Sequence, residues 1–191
     1  HMQFDIPGVN MAPMDGNVYY KQPNHFRIKT RGIFFMPRQN PMARIGAMLK
    51  DTTAYTPLFS GTETIQGKKC AVINIIPNNS KDEWVLGKFW IQLEQPCILK
   101  TQITTRNYGT IETESFYTGS PGYNLPDQLI LRIETRKIRM SRLLAADLNK
   151  KSKPKDEKDE AQTGRIILSF SSYKVNAGVS DEVFRETAVH D

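Results

Sequence analysis

Histidine is almost missing from this chain, and with it most routes to side-chain catalysis. Of the three present, His1 belongs to a leading His-Met that reads as a cloning scar. His190 sits next to the last residue, and His25 falls on the polar side of an alternating run. No Ser-His-Asp, Cys-His or His-metal arrangement can be assembled from them, and neither a phosphate-cradling glycine loop nor a nucleophile elbow occurs. The expectation is a protein that is not an enzyme and needs no metal or cofactor. Cysteine is scarce too: Cys70 and Cys97 lack partners at zinc-ligand spacing. Two buried free thiols and one disulfide in an oxidising compartment are both compatible with them. Long apolar runs are absent; Ala71-Val72-Ile73 and Ile75-Ile76 fall far short of the roughly 20 residues that span a bilayer as a helix.

Acidic residues are missing from a whole interval. Between Asp15 and Asp51 there is none, while Lys21, Arg27, Lys29, Arg31, Arg38, Arg44 and Lys50 all fall there, in a chain of net charge +6. That interval reads as a solvated basic face, or as a surface for an anionic partner such as lipid headgroups, an acidic protein or nucleic acid. At 191 residues the chain suits one domain, 3–191. Lys150 to Glu160 contains no apolar residue and sets five lysines against four acids, so a mobile charged loop is expected at about 149–163.

What is present is a period of two. From His25 to Arg31, Phe26, Ile28 and Thr30 alternate with His25, Arg27, Lys29 and Arg31, as in a strand with one wet and one covered face. Similar runs occupy Val18 to Lys21, Cys70 to Ile76, Val85 to Leu93, Ile98 to Asn107, Thr110 to Tyr117, Leu129 to Met140 and Arg165 to Val175. Turn-forming clusters such as Gln22-Pro23-Asn24, Pro77-Asn78-Asn79 and Glu94-Gln95-Pro96 separate them. The predicted fold is mainly β (α+β), a curved antiparallel half-barrel sheet with a few short helices over its concave face. Those helices are expected at Pro41 to Leu49, Ser141 to Lys150 and Ser180 to Thr187, the last with Ser180 as N-cap.

Several strands carry more large apolar groups than a one-sided sheet needs. Val85, Phe89, Ile91 and Leu93 alternate against Trp84, Leu86 and Trp90; Phe34-Phe35-Met36 follows the first strand; six methionines lie beyond the leading pair. With so few helical residues to fill a curved sheet, an apolar hollow lined by Phe26, Ile28, Phe34, Phe89, Ile91 and Leu93 is expected, with Arg27, Lys29 and Arg31 outside. Glu112 and Glu114, two apart on one strand face, read as a solvated structural pair. An acyl chain of roughly fourteen carbons would gain about 0.8 kcal/mol per buried methylene, on the order of 10 kcal/mol before ordering costs.

Four segments carry a resemblance. Tyr20-Lys21-Gln22-Pro23-Asn24-His25-Phe26-Arg27 is similar to the Lys-Arg-Pro-Asn-x-Phe stretch of the LolA family of periplasmic outer-membrane lipoprotein carriers. Gly87-Lys88-Phe89-Trp90-Ile91 resembles that family's apolar-Trp-Ile strand, Ile98 to Tyr117 its following hairpin, and Asn176-Ala177-Gly178-Val179-Ser180-Asp181-Glu182-Val183-Phe184 its closing Asn-x-Gly-x-x-Asp-x-x-Phe. The likeness runs from Val18 to Phe184 and implies a half-open barrel with helices as a lid and acyl chains held between. It also implies a periplasmic location after signal-peptide removal, and a lipid or acylated protein as ligand, with peripheral membrane contact and further envelope proteins as partners. Gln22 stands where the carriers have a lid-fastening arginine. A helix and a strand normally precede this point, so an N-terminally truncated domain is expected. The same fold serves regulatory protein-binding modules of the RseB type, which is the second expectation. A third, a basic nucleic-acid binder stacking bases on Tyr19, Tyr20 and Phe26, requires affinity that falls steeply with salt and ranks last.

Overall fold

The computed structural model describes residues 1–7, 11–22, 25–30, 51–79, 84–106, 109–118, 123–134 and 163–185. Among the described residues ten strands run in chain order: β1 (Met2–Asp5), β2 (Gly16–Lys21), β3 (His25–Thr30), β4 (Tyr55–Ile65), β5 (Lys68–Pro77), β6 (Trp84–Gln92), β7 (Ile98–Thr105), β8 (Gly109–Phe116), β9 (Gln128–Glu134) and β10 (Thr163–Ser169). Eight of them form one open antiparallel sheet in the order β1-β10-β9-β8-β7-β6-β5-β4, while β2 and β3 pair only with each other. Short connections make β4 to β8 a meander, because adjacent antiparallel strands need only tight turns.

Two strands escape the alternation reading. In β4, Pro57 and Gly61 interrupt the pattern. Both are tolerated because β4 lies at the sheet's edge, where a missing donor costs no ladder bond, and because the register against β5 shifts between Phe59 and Gly61. Gly61 takes a φ of 116° there. The β4–β5 link is the two-residue turn Gln66-Gly67, with φ of 52° and 74°, the left-handed pair that matches strand twist. In β1, Met2 lies opposite Leu168, bridges to Met14 and is buried, so the leading pair of residues takes part in the sheet.

The run expected over Arg165 to Val175 leaves the sheet after Ser169. Its neighbour β9 begins only at Gln128, preceded by Pro126, which has no N–H to offer a ladder. The helices expected at Pro41 to Leu49 and Ser141 to Lys150, and the charged loop expected at about 149–163, lie outside the described residues, except that Thr163 already begins β10. Among the described residues no α-helix occurs, and none is long and apolar enough to cross a membrane. Ser180 is an N-cap as expected, accepting from Glu182 N, but it heads only a single 3-10 turn, Asp181–Phe184.

Apolar packing splits across the two faces of the sheet. On one face Ile75, Phe89 and Ile103 are buried, with Tyr55, Ile73, Trp84, Ile91 and Ile98 against them. On the other, Cys70, Val72, Trp90, Cys97 and Leu99 cluster beside Ile65 and Tyr117. Both cysteines are free, which resolves the alternatives left open by the sequence, and burial pushes both thiols above their ordinary range. Trp84 shares the face of Phe89 rather than the opposite one expected from strict alternation. The register skips Val85 between Trp84 and Leu86, which turns Trp84 over.

Gly87 sits beneath these rings. A Cβ there would lie 2.7 Å from Phe89 Cε2 and 2.9 Å from Trp84 Cζ3, with Ile103 Cδ1 at 3.3 Å. Ring atoms cannot swing aside as a flexible chain end can. Gly87→Ala is therefore expected to destabilise by about 1–3 kcal/mol, read from the urea midpoint.

Candidate functional site

Because directly opposed residues share a face, the registers can be followed across the whole sheet. On one face Phe59, Ile73 and Phe89 begin a row that continues through Thr101 and Thr113 to Leu131, Ile166 and Phe4, while Ile103, Ile111 and Ile133 share the adjacent row. Leu129 opposes Leu168, which opposes Met2, extending the apolar surface toward the other end of these strands. Hydroxyl residues interrupt it at Thr101, Thr113 and Ser115, the last two buried. Every one of the eight strands contributes an apolar side chain. Much of this surface is only partly buried, including Ile91, Ile111, Leu131, Ile133, Ile166 and Phe4.

The opposite face carries a ladder of charges beside the buried cluster around Leu99. Glu63 accepts from Trp90 Nε1 at 2.7 Å and pairs with Lys88 at 3.2 Å. Lys88 and Lys100 lie 4.5 and 5.3 Å from the Trp90 ring centroid. Lys100 pairs with Glu112 at 2.9 Å, and Arg132 bridges Glu112 and Glu114 at 3.2 and 3.0 Å. Arg165 and Asp5 close the series at 3.0 Å on β10 and β1. Glu112 and Glu114 are thus more enclosed than a solvated pair, each side chain less than a quarter exposed.

The sign of the resulting pH dependence follows from Glu112. Burial works to raise its carboxyl, but hydrogen bonds from Gln102 and Lys100, with the charges of Lys100 and Arg132, outweigh this and hold it below the ordinary 4.5. A depressed folded value stabilises fully above the unfolded value and is lost as pH falls through the folded one. Glu112→Gln is expected to cost about 1–2 kcal/mol at neutral pH. In urea titrations the gap to the unsubstituted protein should close as pH falls below about 4.5; a gap independent of pH would refute the ladder's role.

Of the residues expected in the hollow, Phe89 and Ile91 lie together on the apolar face, and Leu93 follows β6, 50% exposed. Phe26 and Ile28 lie instead on β3, opposite Tyr20 and Val18 in the separate hairpin. Phe34 and Arg31 fall outside the described residues. Of the basic strand face, Arg27 donates to Arg185 O and Lys29 lies 5.8 Å from the Tyr19 ring centroid. Neighbouring Lys21 pairs with Asp181 at 2.5 Å, and His25 meets Phe184 edge-on at 5.4 Å. The two ends of the sequence likeness therefore meet in space, with the basic hairpin face clasping the closing 3-10 turn. Gln22 is exposed at the end of β2.

The residues that alternation missed are Leu131, Ile133, Ile166 and Leu168. All but Ile133 lie in the runs Leu129-Ile130-Leu131 and Ile166-Ile167-Leu168, apolar at every position, where a period of two gives no sign of which residues share a face.

A separate cleft of about 400 Å³ opens where β9 begins and β10 ends. Tyr123, Asp127, Phe170, Ser171, Ser172 and Tyr173 line it. Phe170 N donates to Asp127 O at 2.8 Å, and Tyr173 Oη donates to Pro126 O. Burial first, then the charge of Asp127, pushes the Tyr173 phenol up to about 12. Among the described residues no cluster of three or more His, Cys, Asp or Glu side chains could hold a metal ion.

These features define an open, eight-stranded antiparallel sheet with an extended apolar surface on one face and, on the other, a ladder of charges beside a smaller buried cluster. Neither a protein-family model nor a curated protein sequence matches the chain. Its structural neighbours include a DUF1329 family protein from Desulfovibrio piger (TM-score 0.47, 13% identity, covering 88% of this chain and 62% of that one). A domain from Vibrio parahaemolyticus, provisionally assigned to outer membrane lipoprotein sorting, gives 0.49 and 12%, covering 93% of this chain and 65% of that one. A LolA superfamily protein from Nitrosomonas europaea gives 0.38 and 10%, covering 71% and 50%. The chain thus spans less than two thirds of the length of each.

Proposed function

We propose that this chain binds the acyl chains of a lipid or acylated protein across the apolar face of its sheet. It acts by reversible sequestration in the periplasm, without catalysis, in the sorting of outer-membrane lipoproteins. The observation that carries this reading is the continuity of that face: all eight strands contribute, and many of its side chains remain partly exposed. A sheet that only needed a core would gain by covering them, at roughly 25 cal/mol per Å². The charged ladder runs along the reverse face, so the partly exposed apolar side is the better suited to a greasy ligand. The sequence resemblance to the LolA carriers points to the same ligand class.

The test is native mass spectrometry of the purified protein, combined with titration of a fluorescent fatty acid. Adducts of lipid mass, displaced by the fatty acid, are the expected result. A clean apo mass together with no binding of the fatty acid at tens of micromolar (about −6 kcal/mol) would overturn the proposal. A tight protein partner with no lipid would favour the regulatory-module reading instead.

A further inference from the structure

The sheet is open, and β4 forms one of its two edges. Edge strands are usually blunted by proline, bulges or charge, since their outer backbone groups invite another strand. In β4 these devices are confined to the first half, where Pro57 lacks an N–H and the register slips between Phe59 and Gly61. The second half runs regularly, from Thr62 opposite Ala71 to Ile65 opposite Lys68. The two-residue turn Gln66-Gly67 makes Ile65 and Lys68 the hydrogen-bonded pair that closes the hairpin. Alternation then makes Glu63 and Cys70 the next such pair, and turns the N–H and C=O of Thr62 and Thr64 outward. Thr62, Glu63 and Thr64 are all exposed, and no described strand lies beyond them.

The side chains of this stretch define what fits beside it. Thr62 opposes Ala71, which opposes Ile91, so Thr62 and Thr64 lie on the apolar face. Glu63 lies on the reverse face, where it ends the charge ladder and is the one charged residue of β4. Its side chain is 48% exposed. Oε1 accepts from Lys88 and Oε2 from Trp90, and each carboxylate oxygen has a second lone pair. The favourable cross-strand partners are β-branched residues opposite the threonines and a lysine or arginine opposite Glu63. A second copy of this chain does not supply them. Two β4 strands paired about this stretch would set Glu63 against its counterpart. The other edge, β1, carries Asp5 as its only charge.

We propose that the edge formed by residues 62–65 takes an extended segment of another protein as an added strand. That segment is β-branched or apolar toward the apolar face and basic opposite Glu63. Backbone hydrogen bonds to Thr62 and Thr64 attach it, and the alternation of its side chains gives selectivity. The inference stands apart from acyl binding and does not require it.

The test uses the full chain and three peptides labelled with fluorescein at the N-terminus, followed by fluorescence anisotropy at low salt. The first is Thr-Lys-Val-Lys-Val-Lys-Thr, and the second replaces each lysine by glutamate. The third is the lysine peptide N-methylated at two adjacent central residues, which spoils both of its backbone edges. The lysine peptide should bind about fivefold or more tightly than the glutamate peptide, although a net charge of +6 by itself favours the reverse. N-methylation should weaken binding by about tenfold or more. Glu63→Gln, which keeps an oxygen for Trp90, should weaken the lysine peptide by about threefold. No binding of the lysine peptide at about 1 mM, preference for the glutamate peptide, or indifference to N-methylation would each overturn the proposal. Those three readouts use the unsubstituted protein, so they hold even if Glu63→Gln fails to fold. Sedimentation at rising protein concentration tests the occupant. A dimer that Thr64→Pro breaks would give this edge to a second copy and overturn the proposal. A monomer, or a dimer that Thr64→Pro leaves intact, supports the edge as a site for another protein.

Discussion

Leu99→Ala should remove about 3–5 kcal/mol of stability, a large part of the roughly 5–15 kcal/mol that holds a domain of this size. Leu99 is fully buried, at 0% exposure. The register runs from Trp90 opposite Lys100 to Ile91 opposite Ile98, so Leu99 has no partner across the strand. The extra residue places Leu99 and Lys100 around the same indole: Leu99 packs with Trp90, Val72, Cys70 and Cys97, while Lys100 lies over the ring. Truncation would leave a cavity walled by a β-bulge, an indole and two thiols, none of which can easily collapse into it. Urea denaturation followed by tryptophan fluorescence measures the loss. A change under about 1 kcal/mol would mean that the cluster is loosely packed and that the bulge has no structural purpose.

The second large effect is on binding. Leu131 and Ile166 face each other on β9 and β10, both partly buried on the apolar face. Leu131→Glu combined with Ile166→Glu would set two carboxylates where acyl chains are proposed to lie. Burying unpaired charge against hydrocarbon costs several kcal/mol, so fatty-acid affinity should fall by about 100-fold or more. The control is Leu58→Glu, which places one carboxylate on the opposite face, at a residue paired with Asn74 and 48% exposed. That variant should bind as the unsubstituted protein does. Equal losses in both variants would indicate general destabilisation, and equal retention would place the acyl site elsewhere.

How far the sequence reached can be seen strand by strand. Alternation located β3, β5, β6, β7 and β8 to within a few residues, since each has one face that must be wet. It missed β4, whose proline and glycine are ordinary punctuation signals in a linear reading and become tolerable only at an edge. It also misplaced Trp84, because one skipped residue reverses every side chain beyond it and leaves no mark in the composition. The expected hollow was half legible for the same reason. Phe89 and Ile91 were identifiable from the strand pattern alone, whereas Phe26 and Ile28 carry an equally good pattern and yet belong to another sheet.

The cleft was not legible at all. Tyr123 and Tyr173 are fifty residues apart, in stretches with no periodicity, and the pairing of β9 with β10, with the hydrogen bonds from Phe170 N to Asp127 O and from Tyr173 Oη to Pro126 O, brings their segments side by side.

Local chemistry alone therefore determined that the chain is built mainly of antiparallel strands with alternating apolar side chains. Those properties depend on side-chain type and a period of two, which any short window contains. Strand order, the bulges, the pairing of Lys21 with Asp181 and the aromatic cleft were decided by tertiary structure. Each joins residues distant along the chain, and their contact is set by the packing of the whole sheet rather than by any segment's own preference.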